Sequence, residues 1–157
     1  MKIRIWLILI IFFGMIACGK DKFQTVPQLT LRSITPEAPG VVEKGDPLRI
    51  NIEYTDKEGD VSDSLFILRQ RLNKNKPVTS PISPYDIPTF PTIGKGEFEI
   101  TLTYVFDLTV NLPAIPIPGS GTPPKNEIDT LRLKIVAKDK AGNKSDTLVV
   151  DNVYVIR

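Results

Sequence analysis

An antiparallel β-sandwich is the fold this chain predicts, and three observations predict it. Apolar and polar residues alternate with period two over several long stretches, as they do where one strand face meets a core and the other meets water. No stretch after the first 17 residues carries helical periodicity. Proline and glycine, 14 and 10 of the 157 residues, gather between the alternating stretches, where turns need them.

The first strand is expected at residues 28–33. In the second, Leu48, Ile50, Ile52 and Tyr54 alternate with Arg49, Asn51, Glu53 and Thr55. A third is expected at 65–72. In the fourth, Phe98, Ile100, Leu102, Tyr104 and Phe106 alternate with Glu99, Thr101 and Thr103, with Val105 the exception. In the fifth, Leu131, Leu133, Ile135 and Ala137 alternate with Arg132, Lys134 and Lys138, with Val136 the exception. The last covers 147–156, and its phase breaks at Asp151-Asn152, which predicts a bulge. Two proline-rich segments, 77–91 and 113–124, separate strands. Proline cannot donate to a ladder, so both read as loops or edge-strand segments. Loops this long carry function or mobility, or are tolerated insertions.

Val41-Val42-Glu43-Lys44-Gly45-Asp46-Pro47-Leu48, followed by Ile50, Ile52 and Tyr54-Thr55-Asp56, resembles the A′–B region of bacterial Ig-like domains. Ala137-Lys138-Asp139-Lys140-Ala141-Gly142-Asn143-Lys144-Ser145 resembles their F–G hairpin. The resemblance implies an Ig-like antiparallel sandwich of about seven strands over residues 25–157, closer to fibronectin III or cadherin-type modules than to antibody domains. There is no cysteine pair, and the single tryptophan is Trp6.

The chain starts with Met1-Lys2-Ile3-Arg4, then an uncharged run from Ile5 to Ile16, then Ala17-Cys18-Gly19. A positive start, a short apolar run and a small residue at the cut describe a cleaved signal; a bilayer span needs about 20 apolar residues. The stretch resembles the lipobox of bacterial lipoproteins, although Met15 stands where Leu is usual. The resemblance implies a signal peptide at 1–17, a lipid on Cys18 and a tether at 18–24. Together with an acidic turn after the second strand, it is similar to surface lipoproteins of Bacteroidota. It implies a membrane partner through the anchor and an outer-membrane location, since Gly19 is not the aspartate that retains lipoproteins at the inner membrane. Lys20-Asp21 resembles a surface-export signal.

Removing Lys2 and Arg4 from 20 Lys plus Arg leaves 18, against 18 Asp plus Glu. A balanced chain offers no electrostatic case for nucleic acid. Histidine is absent, which removes the commonest general base, the histidine-activated nucleophiles and most zinc and copper sites. Carboxylate pairs, as in glycosidases, remain among Asp86, Glu97, Glu99 and Asp107. Glu99 falls on a solvent face, and no pair has an apolar setting that raises a pKa. A non-catalytic module is therefore expected.

Two acidic turns are candidate calcium ligands: Asp56, Glu58, Asp60 and Asp63 in one, Asp139 and Asn143 in the other. Calcium takes six to eight oxygens, and in an Ig-like sandwich these two loops share an end. Asp, Asn and Gly also serve turn geometry alone. Asp63-Ser64-Leu65, Asp129-Thr130-Leu131 and Asp146-Thr147-Leu148 resemble the O-glycosylation triplet of Bacteroidota, with Ser64, Thr130 and Thr147 as acceptors. Strand A starts at the acidic end, within about 20 Å of Cys18, so that end is expected to face the membrane. The opposite end is expected to bind an envelope protein or glycan, with Tyr85, Phe90 and Ile115 as anchors. The competing expectation is a structural spacer stiffened by calcium.

Overall fold

The computed structural model describes residues 26–58, 64–86 and 94–157. They form eight strands: β1 (Gln28–Thr35), β2 (Gly40–Val42), β3 (Leu48–Thr55), β4 (Ser64–Arg71), β5 (Val78–Asp86), β6 (Lys95–Leu102), β7 (Asp129–Lys138) and β8 (Leu148–Val155). They make two sheets, ordered β1-β3-β6 and β2-β8-β7-β4-β5. All pairings are antiparallel except the short β2–β8 contact. The fold is the expected all-β, Ig-like sandwich.

Period two builds the core. Leu48, Ile50, Ile52, Phe98, Ile100 and Leu102 face inward from one sheet; Leu65, Ile67, Leu131, Leu133, Ile135, Val150 and Val153 face them from the other. Tyr54 lies over its cross-strand partner Gly96, where any Cβ would sit 2.7 Å from the ring. The bulge in β8 falls where expected: Leu131 pairs with Val153 but Leu133 with Val150, and Asn152 takes a φ of 59°.

Two strands were foreseen only loosely, one within the stretch that resembles an A′–B region and one as a loop or edge-strand segment. β2 has three residues, too few for a period to register. β5 runs through the first proline-rich segment as an edge strand, Pro81 opposite Leu68 and Pro84 within the bulge. Edge and bulge are where a strand tolerates proline.

The register fixes two ends. At the upper end β1 begins, β3 runs out into Asp56, and β7 finishes beside the start of β4, where Ser64 pairs with Lys138. At the lower end β4 finishes and β7 begins, where Arg71 pairs with Leu131. The connections β4–β5 and β6–β7 are therefore both at the lower end.

Candidate functional site

The connection from β6 to β7 is the lower end's main feature. The alternation of Phe98 to Phe106 predicted a strand through Phe106, but β6 stops at Leu102. The Asp107 carboxylate reaches back to accept from the Thr103 N–H at 2.6 Å and the Thr103 hydroxyl at 2.7 Å. That capture winds Tyr104–Leu108 into one π-helical turn, closed by Thr109 N–H donating to the Tyr104 carbonyl at 2.9 Å. Tyr104 and Leu108 stay inside, the Tyr104 hydroxyl donating to the Ile156 carbonyl at 2.7 Å. Val105 and Phe106 are thrown outward, 57% and 77% exposed.

Two arginines hold this connection down. Inward positions along β4 read Leu65, Ile67, Arg69, Arg71, and both guanidinium groups are buried. Arg69 donates to the carbonyls of Asp107 at 2.6 Å and Val110 at 2.7 Å, and to the Ser80 hydroxyl at 2.8 Å. Arg71 donates to the Pro113 carbonyl at 3.0 Å and to buried Asp129 at 3.1 Å. Asp129 also pairs with Arg157 at 3.2 Å, and Arg157 in turn donates to the Leu112 carbonyl. Burial raises the Asp129 carboxyl above its ordinary value, opposed by the neighbouring guanidinium charges. Burial also lowers Arg69, with Arg71 adding like-charge repulsion. A parity count on β4 could have placed both arginines inward; their carbonyl partners, some 40 residues on, leave no trace in a sequence.

Beyond Pro113 the chain makes a small projecting loop. Ile115 is 4% exposed and helps seal the lower end, so it is not the free anchor expected of it. Pro116 bridges to Asn126, and the Ile117 N–H donates to the Lys125 carbonyl at 2.8 Å. Residues 118–124 form the tip. Leu72, Val110, Ile117 and Ile128 are exposed on the connections of this end. With Val105 and Phe106, these are six of nine exposed large apolar side chains among the described residues, all on lower-end connections.

Tyr85 is not at that end. It pairs with Leu65 near the top of β5 and leans on the core, because β5 runs upward from Val78. Phe90 lies outside the described residues, as do Cys18, Asp60 and Asp63.

At the upper end, Asp56 and Asp139 are both buried, and Glu58 is exposed. The Asp139 carboxylate accepts from the Asn143 N–H at 2.7 Å and the Asn143 side-chain amide at 2.8 Å, a self-sufficient turn. Topology brings the two turns to one end, but no group of three or more metal-type ligands forms among the described residues. Of the acceptor hydroxyls, Ser64 and Thr130 are half-buried, and the aspartate before Thr130 is sealed in ion pairs. Asp146 and Thr147 are both exposed.

Of the four acids considered for hydrolysis, Glu97 and Glu99 lie on the outward face of the three-stranded sheet, paired with Arg32 and Arg49 at 3.6 Å each. Asp107 is held by Thr103, and nothing is described of the Asp86 side chain.

No family model and no curated protein matches this sequence. Among solved structures, a β-glucosidase from Listeria innocua in complex with gluconolactone is similar over 88% of this chain, at 13% identity and a TM-score of 0.50. This chain spans 17% of that enzyme's length. A Niemann-Pick type C2 protein from Japanese carpenter ant aligns over 88% of this chain and 96% of its own, at 14% identity and a TM-score of 0.41. The sporulation control protein Spo0M from Bacillus subtilis aligns over 84% of this chain and 50% of its own, at 10% identity and 0.38. The likeness to the glucosidase segment shows a shared fold and nothing of its chemistry.

Proposed function

We propose that this chain is a non-catalytic, lipid-anchored envelope module that binds a protein or glycan partner through its lower end. One observation carries the reading. Six exposed apolar side chains gather on connections that buried guanidinium groups hold in place. Exposed apolar clusters mark interaction sites, and a surface already rigid loses little entropy on binding. The proposed anchor at Cys18 joins the domain through β1, which begins at the upper end, so the lower end points away from the membrane. Asp146-Thr147-Leu148 is the triplet this reading assigns to glycosylation.

Two experiments test it. Cys18→Ser should abolish palmitate labelling and release the protein from the membrane fraction; an unlabelled wild type, or a mutant still membrane-bound, sinks the anchor. Tagged protein should capture a partner from solubilised envelope that Val105→Ser/Phe106→Ser loses with an unchanged melt. Capture that survives the double substitution rules out the lower end.

A second reading, a spacer stiffened by calcium, draws on the burial of Asp56 and Asp139 at one end of the sandwich. Calcium at a thousand times its dissociation constant would then add about 4 kcal/mol of stability. Equal melting midpoints in calcium and chelator leave the acidic turns as turns.

A further inference from the structure

The outward face of the five-stranded sheet carries a second surface, separate from the lower end. Phe66 and Val149 stand on it, 46% and 42% exposed. The register sets Phe66 opposite Val136, and places Lys134 between Leu68 on β4 and Val149 on β8, with Pro81 of β5 on Leu68's other side. Phe66, Leu68, Pro81, Val136, Thr147 and Lys134 line an open groove of about 240 Å³.

Lys134 is the single charge in that lining. It is half-buried and makes no ion pair among the described residues. The strand positions flanking it, Leu68 and Val149, offer it no carboxylate, and Asp86 of β5 pairs with Ser64, four residues along β4 from Leu68. Outward positions on β4 are Ser64, Phe66, Leu68 and Gln70; on β7, Thr130, Arg132, Lys134, Val136 and Lys138. On β8, Asp151 is the one outward acid, and Arg132 holds it.

We propose that this groove docks a segment of a partner protein that presents one large apolar side chain beside an aspartate or glutamate. Size argues for a single anchor: small-molecule sites run to roughly 300–1,000 Å³, and this groove falls below that range. Charge argues for the acid. A segment that covers Lys134 without a carboxylate strips its water and returns nothing, so neutral and cationic segments are selected against. The segment lies across the sheet face, because Pro81 and Pro84 spoil the β5 edge for strand addition.

The test uses the isotope-labelled full chain in phosphatidylcholine nanodiscs. Its probes are a capped Gly-Asp-Phe-Asp-Leu-Gly peptide and a twin with Lys in place of both Asp. The acidic peptide should saturably shift amide signals of β4 and β7 around the groove, and bind about tenfold more tightly than its twin, one ion pair's worth. Lys134→Glu should reverse that preference with an unchanged melt, and Phe66→Ser should weaken both peptides. Equal binding of the two peptides, no reversal by Lys134→Glu, or shifts confined to other parts of the molecule overturn the proposal. So does a groove that answers to phosphatidylglycerol nanodiscs and not to the acidic peptide, which would assign it to lipid. None of these residues belongs to the lower-end cluster, so failure here leaves that reading standing.

Discussion

Arg69 and Arg71 occupy the inward row of β4 that begins with Leu65 and Ile67, so the strand's core face changes from hydrocarbon to cation partway down. Asp129 is the buried counter-charge. Removing it strands Arg71 beneath a sealed surface, and breaking such a pair costs about 3–5 kcal/mol. Asp129→Ala should lower stability by that amount in urea melts, and Asp129→Leu with Arg71→Met should cost less than the two single changes together. A second charge centre lies outside, where Glu53 and Glu97 face each other across β3 and β6. Arg32 donates to Glu53, and Lys95 stands 3.0 Å from it. The Arg32 hydrogen bond, then Lys95, hold the Glu53 carboxyl below its ordinary 4.5. The unfolded chain therefore takes up this proton first as pH falls. The stabilisation is full above the ordinary glutamate value and is lost as pH drops through the folded one. Glu53→Gln should remove that part of the acid dependence in melts from about pH 6 to about pH 3. Asp129, raised by burial, contributes with the opposite sign: its share is full below the ordinary aspartate value and fades as pH rises through its folded one.

Among elements, β3 was legible to the residue, and β7 nearly so, because an apolar–polar alternation, unbroken in β3 and interrupted only at Val136 in β7, is itself the statement of a two-faced strand. The end of β6 was not. Tyr104 and Phe106 keep the period, and only the side-chain capture by Asp107 breaks it, a local bond that hydropathy does not register. The prolines of β5 left open whether it was a loop or an edge strand, and the burial of Ile115 was hidden by the same composition: a proline-rich stretch reads alike whether or not one of its residues is buried. The β6–β7 connection thus has two parts of unlike worth. Replacing residues 118–124 with a short Gly-Ser turn should leave the melt within about 0.5 kcal/mol of wild type. Replacing 113–124 removes Ile115 and re-routes the carbonyl that Arg71 holds, and should cost about 2–5 kcal/mol. Paired thermal melts of the two chimaeras check both figures; equal melts would mean the segment is anchored elsewhere.

For the whole molecule, the candidate site was half visible. The topology implied by the Ig-like resemblance correctly gathered the β4–β5 and β6–β7 connections at one end and both acidic turns at the other. The residues that fill the lower end were misassigned, since exposure there depends on a turn and two arginines rather than on composition. The proposed orientation has a direct check. Lys57, Lys140 and Lys144 are exposed at the upper end, and Lys74, Lys76 and Lys125 at the lower. If Cys18 carries the proposed anchor, then on protein held in vesicles acylation should reach the lower three several-fold faster than the upper three, and all six alike in Cys18→Ser. Equal rates on vesicles would mean that the domain lies on its side.

The entry of the chain through β1 has a mechanical consequence. β1 begins at the upper end and runs its full length downward beside β3. A load applied between the N-terminal side and a partner held at the lower end pulls along the strand axis. The β1–β3 ladder then bears it in shear, with its rungs sharing the force at once instead of opening one after another. The β6–β7 connection, which would take the partner's side of that load, is tied by Arg69 and Arg71 directly to β4, a central strand of the other sheet. On the proposed anchoring, traction would thus cross the sandwich through the β1–β3 ladder and the arginine ties to β4, along the strands rather than across them.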